Sequence, residues 1–138
     1  MSRSKSPRSS CPITCALDLL GDRWTLVVLR DVLLAGRRSF SELARPEGIS
    51  TNVLSERLER LEAGGVLVVE RDRTDGRRKL YTPTERGLEL IPILIDLLIW
   101  GTAHTPGTAH AALAARARVD REQVIAEAVA AARSRSGR

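Results

Sequence analysis

Residues 49 to 67, ISTNVLSERLERLEAGGVL, form the stretch that decides the fold. Its leucines recur three and four positions apart, which places them on one face of a helix. Ser50 can cap the first turn with its hydroxyl, and the pair Gly64 and Gly65 supplies a stop. The spacing therefore predicts an amphipathic helix over about residues 51–63, with an opposite face that is polar and carries charges of both signs. The apolar face consists of Leu54, Leu58 and Leu61.

The function of this helix is indicated by the elements around it, since an isolated amphipathic helix is more often a plain surface helix. Upstream, Pro12 opens a first helix that ends at Gly21, and Asp22 can cap a second, very apolar helix, RWTLVVLRDVLL. Ser39 and Glu42 have the spacing of a capping box for a short third helix. This short helix and the one after Ser50 have the arrangement of a helix-turn-helix.

A hairpin is predicted directly after the Ser50 helix. The strand VLVVER is followed by a turn at Thr74, Asp75 and Gly76 and by a second strand from Arg77 to Thr82. The order of elements predicts a mainly α fold with a small β-hairpin, a winged helix-turn-helix in which the hairpin is the wing. We expect residues 1–10 to be a disordered basic arm, 11–104 the winged domain, and 105–138 an alanine-rich extension that is helical and then disordered from 134.

The charge of the chain lies mostly at its ends. The formal net charge is +5, but residues 11–110 hold 13 basic and 14 acidic side chains, so the domain itself is close to neutral. Any argument for nucleic-acid binding must therefore rest on where individual arginines lie. No secretory signal opens the sequence, and we expect a cytoplasmic protein that does not enter a membrane.

A strongly apolar helix is predicted after the wing, from the cap Thr84 to Trp100, with Pro92 as a bend. Its apolar run of 13 residues is short of the ~20 needed to cross a bilayer. So much of its circumference is apolar that a second copy of the chain is the expected cover. We predict a homodimer with Leu94, Leu98 and Trp100 in the interface. Trp24 and Trp100 could fill the core or line an effector pocket, and core packing is favoured.

The chemistry of DNA recognition points to the first turn of the Ser50 helix and to the wing. A helix N-terminus favours phosphate, and the amide of Asn52 can pair with adenine. Glu56 is ambiguous, because a carboxylate repels phosphates but can accept from cytosine. The predicted DNA-binding residues are Arg38, Ser50, Thr51, Asn52, Arg57, Arg77, Arg78 and Lys79.

Several motifs resemble the HxlR-type transcriptional regulators. They are CPITCALDLLGDRWTLVVLRDVLLAGRRSFSEL, then GIS, VLSERLERLEAGGVL, the wing and LLIWG, and they cover about residues 11–101. The resemblance implies a dimer on an inverted-repeat operator, with one Ser50 helix in each of two successive major grooves. Two departures are Pro83, which suggests an irregular end of the second wing strand, and everything after His104.

Cys11 stands at the predicted start of the first helix, where free amides lower a thiol pKa. Some members of the similar family use the cysteine at this position to sense oxidants or electrophiles, whereas a small capping residue is the alternative. Cys11, Cys15, His104 and His110 lack the spacing of a zinc site, so no metal or other cofactor is expected. No catalytic constellation is present either. The open alternative to a DNA-binding regulator is a winged helix used only for protein contacts.

Overall fold

The computed structural model describes residues 9–136. Eight helices and two strands follow one another in this part of the chain: α1 (Pro12–Leu20), α2 (Thr25–Leu33), α3 (Phe40–Leu43), α4 (Thr51–Ala63), β1 (Leu67–Arg71), β2 (Lys79–Pro83), α5 (Glu85–Leu88), α6 (Ile91–His104), α7 (Ala111–Val119) and α8 (Arg121–Ser136). The predicted fold class, mainly α with one antiparallel hairpin, is confirmed. Most of the predicted arm, residues 1–8, lies outside the described residues.

Side-chain caps and a glycine that are recognisable in the sequence define several helix ends. The Ser39 hydroxyl accepts from the Glu42 amide while the Glu42 carboxylate accepts from the Ser39 amide, which is a complete capping box. The Ser50 hydroxyl accepts from the Val53 amide at the start of α4. Gly65, with φ of +73°, ends that helix in the left-handed conformation that favours glycine. The predicted bounds of α4 are therefore correct.

The core lies between α2, α4 and α6, where leucines from each helix are fully buried. Leu29, Leu33, Leu54, Leu61 and Ile95 each expose less than 2% of their surface. The base of the hairpin closes this core through Val66 and Leu67. The helices that carry the helix-turn-helix are thus held by a shared interior.

The hairpin pairs Leu67 with Pro83 and Arg71 with Lys79, and its ladder is regular to the end. The Thr84 amide donates to the Val66 carbonyl at 3.0 Å, which places Pro83 in a position that needs no donor. The expected irregularity at Pro83 is therefore wrong. The other edge of β2 is met by the segment before α3, where the Tyr81 amide donates to the Arg38 carbonyl at 2.8 Å.

The predicted single helix after the wing is two helices. α5 ends at Leu88, and α6 begins at Ile91 with Pro92 in its first turn. Proline has no amide to donate and fits the first turn of a new helix, so it favours a break there over a bend.

The C-terminal extension forms two helices that fold back on the domain. Val124 and Ala132 of α8 are buried, and Arg121 makes a bidentate ion pair with Asp96 of α6 at 2.7 and 2.8 Å. Near its end, Arg135 donates to the Leu33 carbonyl of α2 at 2.9 Å. The helix continues to Ser136, so the disorder expected from residue 134 is wrong for residues 134–136, and residues 137–138 lie outside the described part.

Candidate nucleic-acid interface

The first turn of α4 stands free at the surface. Ile49 is buried just before it, whereas Ser50, Thr51 and Asn52 are exposed. Ser50 uses its hydroxyl as acceptor for the Val53 amide at 3.2 Å, which fixes the start of the helix. These three predicted residues therefore have the access that contact with DNA requires.

Arg57 and Arg60 are turned away from that surface. The Nε of Arg57 donates to Asp22 Oδ1 at 2.8 Å, and the Arg57 side chain is only 15% exposed. Arg60 donates to the carbonyls of Asp18 and Leu19 at the end of α1, at 3.0 and 3.2 Å. Arg57 joins α4 to the start of α2, because a nearby carboxylate offers it a charged partner, and its contact with DNA stays a prediction.

Asp22 is the acceptor on which these contacts converge. Its Oδ1 accepts from the amides of Trp24 and Thr25, at 2.8 and 3.1 Å, in addition to Arg57. Burial raises the pKa of Asp22, but hydrogen bonds from the Thr25 hydroxyl and Arg57 outweigh it and hold this pKa well below its usual range. The carboxylate stays charged and fixes the angle between α2 and α4.

The two aspartates of the wing accept hydrogen bonds from its own loop. Asp72 accepts from the amide and hydroxyl of Thr74, at 3.0 and 2.9 Å, and these bonds lower the Asp72 pKa. Asp75 accepts from the amide of Arg77 at 3.1 Å. Residues 71–79 hold five basic side chains and two acidic ones, a net charge of +3. Arg77 and Lys79 are exposed, as the sequence predicted for a DNA-facing wing.

Arg78 has a second role that the sequence did not indicate. Its Nη2 donates to Glu42 Oε1 at 2.8 Å, so the wing is tied to α3. Hydrogen bonds from Ser39 are the main reason that the pKa of Glu42 is lowered, with Arg78 adding to them. Arg78 thus forms an ion pair within the chain although its side chain is partly exposed. This ion pair positions the wing against the helix-turn-helix.

Arg38 is a structural residue rather than a free cation. Its Nη2 donates to the Thr82 hydroxyl at 2.8 Å, and its Nε is buried without a partner within residues 9–136. Its guanidinium lies against strand β2, to which its backbone carbonyl is also bonded, and its contact with DNA stays a prediction.

Two exposed arginines escaped the sequence prediction. Arg45 follows α3 in the turn of the helix-turn-helix, and Arg73 lies in the wing loop. Neither makes an ion pair or side-chain hydrogen bond with any residue in 9–136. The sequence offered one indication of their role: Arg45 lies in the turn before α4, and Arg73 lies in the same loop as Arg77.

Cys11 lies at the N-terminus of α1, as predicted, and is exposed. The backbone amide of Thr14 is the main cause of a lowered pKa for its thiol, with the Thr14 hydroxyl and the Ile13 amide adding to it. Cys15 is partly buried, and its Sγ donates to the Ser9 carbonyl at 3.2 Å. Both thiols are free.

The predicted dimer residues have different environments. Leu94 is 7% exposed and packs inside its own chain, so a partner could gain little by covering it, and that prediction is corrected. Leu98 is half-buried, whereas Trp100 is 63% exposed. The α7–α8 extension covers part of α6, which is why less of this helix is left bare than the sequence suggested. The apolar side chains still exposed on α1 and α6 are Ile13, Leu17, Ile93, Leu97 and Trp100.

An open cavity of about 320 Å³ lies between α2 and α6, with Leu26, Leu34 and Leu97 in its walls. Neither tryptophan lines it. Trp24 packs against the core, whereas the exposure of Trp100 means that core packing, favoured for both tryptophans, is wrong for Trp100.

Residues 9–136 contain no group of three or more histidine, cysteine or acidic side chains that could hold a metal ion. One stretch, Glu85–His104, has the length and mean hydropathy (1.4) of a membrane span. It is interrupted between α5 and α6, and Ile91, Leu94 and Ile95 are buried against the rest of the chain.

The family model described as HxlR-like helix-turn-helix matches residues 19–109. An uncharacterised HTH-type transcriptional regulator of Mycobacterium bovis is 38% identical over 91 residues, which is 66% of this chain and 57% of that protein. The chain thus spans little more than half the length of that relative.

Solved structures give the same result for the fold. The crystal structure of PA1607, described as a candidate transcription factor, has a TM-score of 0.67 and 30% identity over 74% of this chain and 70% of that one. The redox regulator HypR in its oxidised form has a TM-score of 0.60 and 27% identity over 70% of this chain and 100% of that one. With its matched helix-turn-helix, wing and relatives, the chain belongs to the HxlR-like helix-turn-helix family of transcriptional regulators.

Proposed function

We propose that this chain binds DNA as a homodimer at an inverted-repeat operator, with α4 of each copy in a major groove and the wing against the adjacent backbone. One observation carries the proposal: the first turn of α4 is exposed, and the wing that follows this helix has aspartates that are satisfied by its own loop. The free amides of a helix start attract phosphate, and the wing adds local positive charge to a nearly neutral domain.

The strength of this attraction can be estimated from the cations left without an internal partner. Arg45, Arg73, Arg77 and Lys79 are exposed and unpaired within residues 9–136. If three or four of them neutralise phosphates in each copy, the dimer releases roughly six to eight counterions, and log K falls with log salt at a slope of about −6.

The test is a titration of a labelled duplex from the region upstream of the gene, at several salt concentrations. Arg77→Ala removes one cation per copy, so the slope should become shallower by about 2 for the dimer. Arg118→Ala is the matched control, because Arg118 belongs to α7, and its slope should equal that of the unaltered chain. Binding that is absent, or insensitive to salt, would contradict the proposal.

Dimer formation is proposed to cover the exposed apolar side chains of α1 and α6. Exposed patches of this kind usually mark an interface. Leu97→Glu puts a charge into the patch and should convert the dimer to a monomer in sedimentation-velocity runs. Val119→Glu, at a residue that is 89% exposed on α7, should leave the dimer intact. A monomeric unaltered chain that still binds the full inverted repeat would refute this part.

Regulation through Cys11 is the remaining part of the proposal. It is supported by the lowered pKa of an exposed thiol and by the similarity to HypR, a redox regulator. Diamide should change operator affinity in the unaltered chain and in Cys15→Ser, but not in Cys11→Ser. An equal response in all three proteins would remove Cys11 from the mechanism.

A protein-binding module without DNA binding is the second candidate. The observation that favours it is the row of exposed carboxylates on α4, namely Glu56, Glu59 and Glu62. The salt titration separates the two candidates, since only phosphate neutralisation gives a steep slope with DNA.

A further inference from the structure

The outward face of α4 carries hydrogen-bond acceptors and no cation. At 100° per residue, the direction opposite the buried leucines is occupied by Asn52, Glu56 and Glu59, and all three are exposed. The helix does contain two arginines, but Asp22 and the carbonyls at the end of α1 hold both guanidinium groups on the flank. This face therefore offers the amide of Asn52 and carboxylates to a groove, beside the hydroxyls of Ser50 and Thr51 in the first turn.

Such a face cannot make the commonest contact to guanine. Guanine presents two acceptors, N7 and O6, and it is read by the paired donors of arginine or lysine. Adenine presents N6 as a donor beside the acceptor N7, which matches the amide of Asn52. Cytosine presents the N4 amino group as a donor, which matches a carboxylate.

We propose that α4 selects its half-site through base amino groups, with Asn52 reading adenine and Glu56 reading cytosine. This inference rests on the proposed insertion of α4 into the major groove. Residues four apart are ~6 Å apart along a helix, close to two base-pair steps, so the two bases lie within about two positions of each other.

The surroundings of Glu56 reduce the repulsion between its carboxylate and the DNA phosphates. Its Oε2 is 2.9 Å from Nη1 of Arg57, which offsets part of its charge. No hydrogen bond within residues 9–136 occupies its Oε1, and the side chain is 60% exposed. One oxygen can thus accept from a base while the other stays paired inside the chain.

The first experiment selects binding duplexes from a random-sequence library with the unaltered protein, Glu56→Gln and Glu59→Gln. Glutamine reads adenine through N6 and N7. Glu56→Gln should therefore change one position of the half-site from cytosine to adenine. Glu59→Gln removes the same charge from the same face nearer the end of the helix, and it should leave the half-site unchanged. An unchanged cytosine in Glu56→Gln would overturn the inference.

The second experiment substitutes single bases in the selected duplex. Replacing the cytosine by N4-methylcytosine should weaken binding about tenfold, because the methyl group displaces the major-groove donor. Replacing guanines under α4 by 7-deazaguanine should have no effect, and a tenfold loss there would overturn the inference. A protein that binds no duplex in the library fails the proposed function itself, whereas sequence-specific binding without these responses fails only the present inference.

Discussion

Replacing Asp22 by asparagine tests whether one carboxylate fixes α4 in place. Asparagine keeps a side-chain oxygen that can accept from the amides of Trp24 and Thr25, so the start of α2 keeps its cap. The substitution removes the charge that Arg57 faces at 2.8 Å and Arg60 at 3.5 Å. It therefore tests the charged link between α2 and α4, together with the bond that the carboxylate accepts from the Thr25 hydroxyl.

The size of the effect follows from the burial of that link. Hydrogen bonds to charged groups contribute about 1.5–3 kcal/mol, and Arg57 is mostly shielded from water, so Asp22→Asn should lower the free energy of unfolding by about 2 kcal/mol. For a chain of this length, the melting temperature should fall by roughly 6–10 °C. Glu89→Gln changes an exposed carboxylate that has no ion pair within residues 9–136, and its stability should stay within about 0.5 kcal/mol of the unaltered chain.

Urea unfolding followed by circular dichroism, repeated between pH 7 and pH 3, measures both the loss and its cause. The pKa of Asp22 is lower in the folded state than the ~3.9 of an unfolded chain, so its stabilisation is complete near neutral pH and declines as pH falls below about 5. The stability difference between the two proteins should shrink over that range. A difference near zero at pH 7, or one that is independent of pH, would refute the assignment of Asp22 as the link.

Three further outcomes are expected. Gly87→Ala should destabilise the fold by about 3 kcal/mol in urea unfolding, since a Cβ there would lie 2.3 Å from the Val66 carbonyl oxygen. Gly101→Ala in α6 is the control: a Cβ there would have no atom within 4 Å, so this substitution should stabilise the fold by up to about 1 kcal/mol. Arg78→Ala should release the wing from α3 and raise the rate of tryptic cleavage after Arg71 and Arg73, two sites that the substitution leaves intact; unchanged cleavage rates at these two sites would contradict its positioning role. The Cys11 thiol should react with iodoacetamide faster than Cys15 at pH 7, as mass spectrometry of the labelled peptides can check, because its pKa is lowered and it is exposed.

Signals that act over a few residues were enough to predict most of the secondary structure. The capping box of Ser39 and Glu42, the Ser50 cap and the Gly65 stop each work within one helical turn, so their geometry can be inferred from spacing alone. The break at Pro92 was underestimated, because proline is compatible with either a kink or a new first turn, and packing decides between them.

Side-chain partners distant in sequence could not be inferred in the same way. Arg57 forms an ion pair with Asp22, 35 positions away in the sequence, and Arg78 with Glu42, 36 positions away. Nothing in the neighbouring sequence of either arginine indicates its partner. The burial of Leu94 depended on how α6 packs on the rest of its own chain, which its apolar pattern does not indicate. The predicted contacts in the first turn of α4 remain predictions, because their exposure permits a contact with DNA without demonstrating one.

Backbone hydrogen bonds hold the hairpin to the domain at its base, whereas nearer the tip one exposed ion pair, Arg78 with Glu42, joins it to α3. At the base, the Thr84 amide donates to the Val66 carbonyl and the Tyr81 amide to the Arg38 carbonyl, while the turn after Asp72 is bonded within the hairpin. Amide hydrogens near Leu67 and Tyr81 should therefore exchange with solvent only when the whole domain opens, and those of residues 73–77 on a much shorter timescale. In the proposed complex with DNA, such a gradient would let the tip follow the local width of a groove without loosening the core.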